Sequence, residues 1–298
     1  MPGRVTQNML NAQMLRNLNN NLKRMDTQQN QLATGRRINK PSDDPVGISF
    51  SMRYRSELSA NDQYEKNVDS SSSWLDYVDT TLGQAGDVLQ RVRELAVQGA
   101  NGTNHQDALN SIKSEVEQLY KQLVTIGNSQ LNGKYVFNGQ KTNLPPYTEA
   151  NAMNESSDTV DIRYEISPGV HMPVSTTGNR AFGSPGDEDN VFRVVQELVT
   201  ALGDGNLQGV GGALGKLDTR YNKFLEVRSD VGARSNRLDL AGNRLEDISI
   251  NLQKLQSKTE DADMAEVITN LKMSENVYQA SLSAGSRLIR PSLVDFLK

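Results

Sequence analysis

Residues 68–98 read VDSSSSWLDYVDTTLGQAGDVLQRVRELAVQ. Apolar and small residues recur in this stretch at spacings of three and four, which is the period of one helix face. The members of this row are Val68, Ser71, Leu75, Val78, Leu82, Ala85, Leu89, Val92 and Ala96. The row predicts one long helix from Pro45, with Asp44 as its N-cap, to Gln98. A helix of about 50 residues is far longer than most globular helices, and it indicates a helical rod.

The composition also favours thin rods over one thick core. Hydrophobic residues make up 36% of the 298 residues and aromatic residues only 5%, which is lean for a single core. The net charge of −4 provides no basic excess, so we expect no nucleic-acid partner. There is no cysteine, which excludes disulfides. No apolar run approaches about 18 residues and no signal-peptide pattern opens the chain, so we expect neither membrane insertion nor a cleaved signal.

Two shorter heptad rows lie at the chain ends. The first row has Gln29 in a polar position and ends at Gly35. Together the rows predict an assembly interface made of Leu15, Leu18, Leu22, Met25, Leu32, Val267, Leu271, Tyr278, Leu282 and Leu288. Burying five such side chains returns less free energy than ordering about 30 residues costs. We therefore expect residues 1–33 and 264–298 to be largely disordered in the monomer and to fold against neighbouring copies.

The segment TGRRINKPSDDPVG (34–47) combines three cations, two adjacent aspartates and two prolines. Paired carboxylates can perform acid–base catalysis, but only in a pocket that drives their pKa values apart. Here the nearby cations favour a structural joint whose charges pair with each other or with a neighbouring subunit. The predicted joint residues are Arg36, Arg37, Asn39, Asp43 and Asp44.

The middle of the chain changes character between residues 127 and 190. LNGKYVFNG (131–139) predicts a turn with a short strand, and TVDIRYEI (159–166) alternates apolar and polar residues as a half-buried strand does. The predicted fold is mainly α, an elongated helical rod with paired terminal helices and a small antiparallel β insertion. The predicted domains are terminal helices (1–33 and 264–298), a rod (34–140 and 187–263) and the β insertion (141–186).

The remaining candidate motifs do not support catalysis or metal binding. His105 and His171 occur outside any H-E-x-x-H pattern, and GVGGALGK (209–216) lacks the residues of a P-loop. The loop from Asp204 has glycine where a calcium loop needs its bidentate glutamate. The acidic run 187–189 is interpreted as a solvated N-cap for the next helix. We predict no catalytic residue, no cofactor and no metal site.

Three segments resemble terminal motifs of the flagellin family. They are QLATGRRINKPSDDPVGISFSMRYRSEL (31–58), RVRELAVQGANGTN (91–104) and DMAEVITNLKMSENVYQASLSAGSRL (263–288). The second is similar to the family's rod-helix motif at Arg91, Arg93, Glu94, Leu95 and Gln98. Within the family, GKYVFNG (133–139) and the tail SLVDFLK (292–298) are similar to the hook–filament junction members.

The resemblance implies a structural role in the bacterial flagellum. It implies a junction protein that is exported by the flagellar type III apparatus without a cleaved signal and acts outside the cell. The implied partners are other copies in a ring, hook-associated protein 1, flagellin and an export chaperone. The alternatives are a flagellin subunit of the filament, an enzyme housed in the β insertion and an unrelated coiled-coil adhesin.

Overall fold

The computed structural model describes residues 7–102 and 105–288, and most of these residues are α-helical. The elements in chain order are α1 (Gln7–Thr34), α2 (Pro45–Gly99), α3 (Gln106–Gly127), β1 (Gln130–Leu131), β2 (Lys134–Tyr135), a 3-10 turn (Ala152–Asn154), β3 (Arg163–Ser167), β4 (Val170–Pro173), α4 (Gly178–Phe182), α5 (Val191–Gly203), α6 (Leu207–Glu260) and α7 (Met264–Leu288). The mainly α class with a small antiparallel β part is confirmed.

Local sequence sets the boundary between α1 and α2. Gly35 takes a φ of 71°, a left-handed conformation that ends α1 with little strain only because glycine has no side chain. The Oδ1 atom of Asp44 accepts hydrogen bonds from the backbone N–H groups of Val46 and Gly47, at 3.1 and 2.8 Å. Asp44 is therefore the N-cap of α2, and Pro45 is its first helical residue, as predicted.

Two short hairpins form the β part. β1 pairs with β2 through a turn at Asn132 and Gly133, whose φ angles are 52° and 76°. β3 pairs antiparallel with β4, with Tyr164 opposite Met172 and an irregularity in register between Glu165 and Ser167.

The strand predicted from residue 159 begins only at Arg163. The Ile162 carbonyl still accepts from Val174 N–H at 2.9 Å, but the backbone N–H groups before Arg163 bond side chains instead of a partner strand. Asp158 N–H donates to Asn138 Oδ1 at 2.9 Å, and Ile162 N–H donates to Ser175 Oγ at 2.9 Å. These bonds satisfy the buried backbone groups without a ladder, so the segment keeps an irregular course.

The chain packs as two compact units, one of residues 1–60 with 249–298 and one of residues 61–248. In the second unit the predicted α2 row is buried, and four aromatic side chains from different segments pack together. They are Phe137, Tyr147, Phe182 and Phe192, with ring centroids between 4.7 and 6.0 Å apart. Ile166 on β3 and Met172 on β4 are buried in the same core, so the β3–β4 hairpin shares it with the helices. The three-part domain division drawn from the sequence stays a prediction.

The acidic run before α5 is held to α6 and is not simply solvated. Arg220 on α6 is almost fully buried and bonds Asp189 at 2.7 Å, while Lys223 lies 2.8 Å from the same carboxylate. Burial raises the pKa of Asp189, but the hydrogen bond from Lys223 and the charge of Arg220 outweigh it, so the net pKa is lowered. The N-cap of α5 is Asn190, whose side chain accepts from Arg193 N–H.

Candidate assembly interface

α1 and α7 pack side by side in the first unit along what we call the α1–α7 seam. Half-buried or buried positions recur at heptad spacing on both helices. They are Met14, Leu18, Asn21, Met25, Gln28 and Leu32 on α1, and Val267, Leu271, Ser274, Tyr278, Ser281 and Gly285 on α7. Gln28 lies near Val267 and Met14 lies against Gly285, so the helices run antiparallel.

Small and polar residues shape this seam. A Cβ atom at Gly285 would overlap with Met14 Cε, so a larger residue at this position would require the end of the Met14 side chain to move. The Oε1 atom of Gln28 is buried and has no hydrogen-bond partner within the described residues. A buried polar group without a partner costs free energy, so the seam is a weak one for its length.

Nine of the ten predicted interface residues divide into two groups. Six lie on the seam: Leu18, Met25, Leu32, Val267, Leu271 and Tyr278. Leu15, Leu22 and Leu282 lie off the seam, with exposed fractions of 57%, 41% and 44%. Leu288 closes α7, and its side chain lies outside the described residues, as does the tail 292–298. The role of these residues in assembly stays a prediction.

The exposed leucines belong to a second apolar edge on each helix. On α1 this edge consists of Leu15 and Leu22, which each follow a seam residue by one position. On α7 Ile268 and Leu282 follow seam residues in the same way, so the four exposed side chains lie on one side of the antiparallel pair. The sequence row mixed seam and edge because it passed through Leu15, Leu22 and Gln29, which are exposed, between the seam residues Leu18, Met25 and Leu32. It omitted Met14 and the polar seam positions Asn21 and Gln28.

One predicted joint residue, Arg36, pairs with a buried carboxylate that sequence reasoning missed. Glu260, at the end of α6, is only 1% exposed. Arg36 Nη1 lies 3.1 Å from its Oε1 atom, Arg55 bonds both of its oxygens, and Ser51 Oγ donates to Oε2 at 2.9 Å. Gln256 Nε2 also donates to Oε2, at 3.1 Å. We call this group the Glu260 cluster.

Backbone bonds run beside the Glu260 cluster. Arg37 N–H donates to the Glu260 carbonyl at 2.7 Å, and Ala262 N–H donates to the Gly35 carbonyl at 3.0 Å. The guanidinium of Arg37 donates to the Thr259 carbonyl at 3.0 Å. The turn after α1 is thereby bonded to the turn between α6 and α7.

Asp43 and Asn39 fold the joint locally. Asp43 Oδ2 accepts from the backbone N–H groups of Asn39 and Lys40, at 3.0 and 2.8 Å, and Asn39 Nδ2 donates to the Arg36 carbonyl at 2.9 Å. With Asp44 capping α2, both aspartates are occupied with backbone groups. This arrangement suits a structural joint and not a pair of acid–base catalysts.

The residues of the rod-helix motif tie α2 to its neighbours. Arg91 pairs with Glu115 on α3 at 2.7 Å and with Glu94 at 3.0 Å, and Arg93 pairs with Asp218 on α6 at 2.6 Å. These hydrogen bonds raise the pKa of both arginines above the ordinary value. Leu95 is buried in the core of the unit and Gln98 is exposed on α2.

No arrangement for metal chemistry occurs in the part of the chain that the structure describes. No group of three or more His, Cys, Asp or Glu side chains there could hold a metal ion. His105 is exposed before α3, His171 is exposed on β4, and residues 209–216 lie within α6. Among the described helices, none has the length and apolarity needed to cross a membrane.

Comparison with known proteins places both halves of this architecture in one family. Residues 5–142 match the bacterial flagellin N-terminal helical region, and residues 214–297 match the bacterial flagellin C-terminal helical region. The chain belongs to the flagellin family. The first match covers α1, the joint and the rod-helix motif, and the second covers most of α6 and all of α7.

Two flagellin-family relatives align with most of the chain. Flagellar hook-associated protein 3 of Escherichia coli K12 is 24% identical over 303 residues, covering 94% of this chain and 95% of that protein. The flagellar filament 30.7 kDa core protein of Treponema maltophilum is 26% identical over 253 residues, covering 85% and 84%.

The flagellin-family fold is also found in a solved structure. The flagellar junction protein FlgL from Legionella pneumophila superposes with a TM-score of 0.58 and 16% identity. The superposition covers 70% of this chain and 100% of that one. At this identity the likeness concerns the fold alone.

Proposed function

We propose that this flagellin-family chain is a structural component of the bacterial flagellum that joins hook-associated proteins to the flagellin filament. The observation that carries the proposal is the second apolar edge of α1 and α7. Leu15, Leu22 and Leu282 remain exposed although the α1–α7 seam is closed. Exposed apolar groups that lie on the same side of a helix pair mark an interaction surface, whereas scattered ones do not.

The junction role is favoured over the filament role by coverage. Hook-associated protein 3 of Escherichia coli aligns with 94% of this chain, and the motif GKYVFNG (133–139) is similar to the junction members. In this proposal other copies form a ring, hook-associated protein 1 binds on one side and flagellin on the other. A heptad edge accepts different helical partners because its apolar contacts are not directional.

The proposal extends to assembly and location. The chain leaves the cell through the flagellar type III export apparatus, with a chaperone and without a cleaved signal, and acts outside the cell. Residues 1–33 and 264–298 form the inner tube, residues 34–140 and 187–263 form the surrounding rod layer, and residues 141–186 face outward. The role involves no catalytic step, cofactor, nucleic acid or membrane insertion.

Imaging of labelled protein on isolated hook–filament structures tests the proposal. A single narrow band between hook and filament is the expected result, because a junction ring holds few copies. Labelling along the whole filament would instead support the alternative, a flagellin subunit of the filament. Absence of label from the flagellum would reject both roles.

A further inference from the structure

A shallow groove lies between the β3–β4 hairpin and α6 in the unit of residues 61–248. It is lined by Ile166, Val170, Arg237, Leu240, Arg244 and Ile248. Its volume is about 260 Å³, below the roughly 300–1,000 Å³ of typical small-molecule pockets. Leu240 is 71% exposed at its centre. An exposed leucine between two arginines is the composition of a protein interface, in which an apolar centre has a charged rim.

The two groove arginines form one of two charge rows on α6. Arg237 directly precedes the buried Leu238, and Arg244 directly precedes the buried Leu245. Successive helical residues point about 100° apart, so residues that follow the same leucines lie on the opposite flank. Those residues are Asp239 and Glu246, both exposed. Both rows have the same spacing of seven residues, about 10.5 Å along the helix.

α2 extends the acidic row of α6. Asp62, Asp69 and Asp76 also recur every seven residues, and each follows a buried residue of α2. α2 and α6 run antiparallel, since residue 61 bonds the carbonyl of residue 245 and residue 93 pairs with residue 218. In antiparallel helices that face each other, residues that follow buried positions fall on the same side. We call these five carboxylates, at residues 62, 69, 76, 239 and 246, the acidic face.

The charges of both surfaces are available for a partner. Neither groove arginine and none of the five carboxylates has an ion pair within residues 7–102 and 105–288. Lys66 is the exposed cation among the α2 carboxylates, and it leaves the acidic face strongly negative. The surfaces thus have opposite sign and equal spacing, and they lie on opposite flanks of one helix.

We propose that the acidic face of one copy docks into the arginine groove of the neighbouring copy. Two different surfaces of one chain then meet head to tail, which is the contact that closes into a ring when each step repeats. The arginines fix the register of the contact, and Leu240 becomes its buried centre. This inference rests on the proposed ring and identifies the surfaces that build it.

Charge-swapped variants test the contact on isolated hooks. R237E/R244E and D239R/E246R are each expected to weaken addition to hooks by about tenfold or more, because attraction becomes repulsion. A mixture of the two variants should recover addition, since the swapped surfaces complement each other. K134E/K141E is the matched control, because it makes the same change in net charge at two exposed lysines elsewhere in the unit.

Circular dichroism of each variant confirms that the fold is intact. Wild-type addition by either variant alone would overturn the inference, and so would a mixture of folded variants that does not recover. Rings of R237E/R244E that form normally but fail to bind flagellin would also overturn it, because the groove would then serve flagellin. In each of these three cases, a band of wild-type protein at the junction would still support the proposed function. Absence of the wild-type band would contradict both the proposed function and this inference.

A disulfide cross-link supplies an independent readout. The chain contains no cysteine, so Leu240→Cys and Asp69→Cys introduced together provide the only thiols. Oxidation of assembled protein should join neighbouring copies in a series of covalent multimers. Assembled protein that yields only monomer after oxidation would contradict the proposed contact.

Discussion

Replacement of Glu260 by glutamine removes the negative charge at the centre of the joint and keeps the size of the side chain. The carboxylate is buried and accepts hydrogen bonds from Ser51, Gln256 and Arg55, while Arg36 pairs with it. An amide places an N–H₂ group where one acceptor oxygen stood. Donor then faces donor, and two guanidinium groups lose their counter-charge.

The size of the effect follows from burial. Removal of one member of a buried ion pair costs about 3–5 kcal/mol. The side chains of Arg36 and Arg55 are 47% and 44% exposed, so water can solvate them once the carboxylate is lost. We therefore expect a cost of about 2–3 kcal/mol, which is a factor of about 30–150 in the opening equilibrium of the joint.

Amide hydrogen exchange can measure this opening locally. The N–H groups of Arg37 and Ala262 donate to the carbonyls of Glu260 and Gly35 across the joint. These amides exchange when the joint opens, even if the rest of the chain stays folded. Their protection should fall by the factor given above in the Glu260→Gln variant.

Glu57→Gln is the matched control. Glu57 lies in the same unit but forms an exposed pair with Arg53 at 3.6 Å, so its loss should cost less than about 1 kcal/mol. Equal protection of the amides of Arg37 and Ala262 in the two variants would refute the view that the buried carboxylate keeps the joint closed.

Three further predictions concern assembly, order and pH. Leu22→Asp should leave the monomer's circular dichroism unchanged but reduce addition to hooks by about 100-fold or more, because burying an unpaired charge is costly. Asn20→Asp, at an exposed position of α1 that points away from this edge, should have little effect, and equal losses would contradict the edge assignment. Amide exchange of the free chain should find residues 15–32 weakly protected, whereas strong protection would exclude folding on assembly. Asp189→Asn should lower the unfolding midpoint at pH 7 more than at pH 3. The basic neighbours of Asp189 hold its pKa below the ordinary 3.8, and the stabilisation they provide is lost as the pH falls through that lowered pKa. Equal destabilisation at both pH values would argue against the pairing.

Local signals in the sequence were sufficient to predict the end of α1 and the start of α2. Gly35 ends α1, and Asp44 with Pro45 begins α2, because the capping chemistry lies within a few residues of each boundary. The row of residues 68–98 predicted the buried face of α2 for the same reason. The five joint residues could be proposed as a group because their charges and the two prolines are adjacent in the chain, and their role as a joint stays a prediction.

Contacts between distant residues and polar positions in the seam could not be predicted from the sequence. Glu260 looks no different from Asp261 or Asp263, and its partner Ser51 is 209 residues away in sequence. The seam positions Asn21 and Gln28 were missed because a heptad search follows apolar residues. The late start of β3 depends on side chains that approach from other segments, which no local pattern records.

The joint contains hydrogen bonds between residues that are close in sequence and others between residues that are far apart. This difference determines the order in which the bonds can form. The bonds of Asn39, Lys40 and Asp43 close within four residues, so this corner can form as soon as its own segment is free in solution. The carboxylate that locks it belongs to residue 260 and arrives only when nearly the whole chain has emerged. The joint can therefore be completed only when the C-terminal part of the chain is present. A chain truncated before residue 260 would keep the local hydrogen bonds of residues 39–43 but would lack the contacts of Glu260.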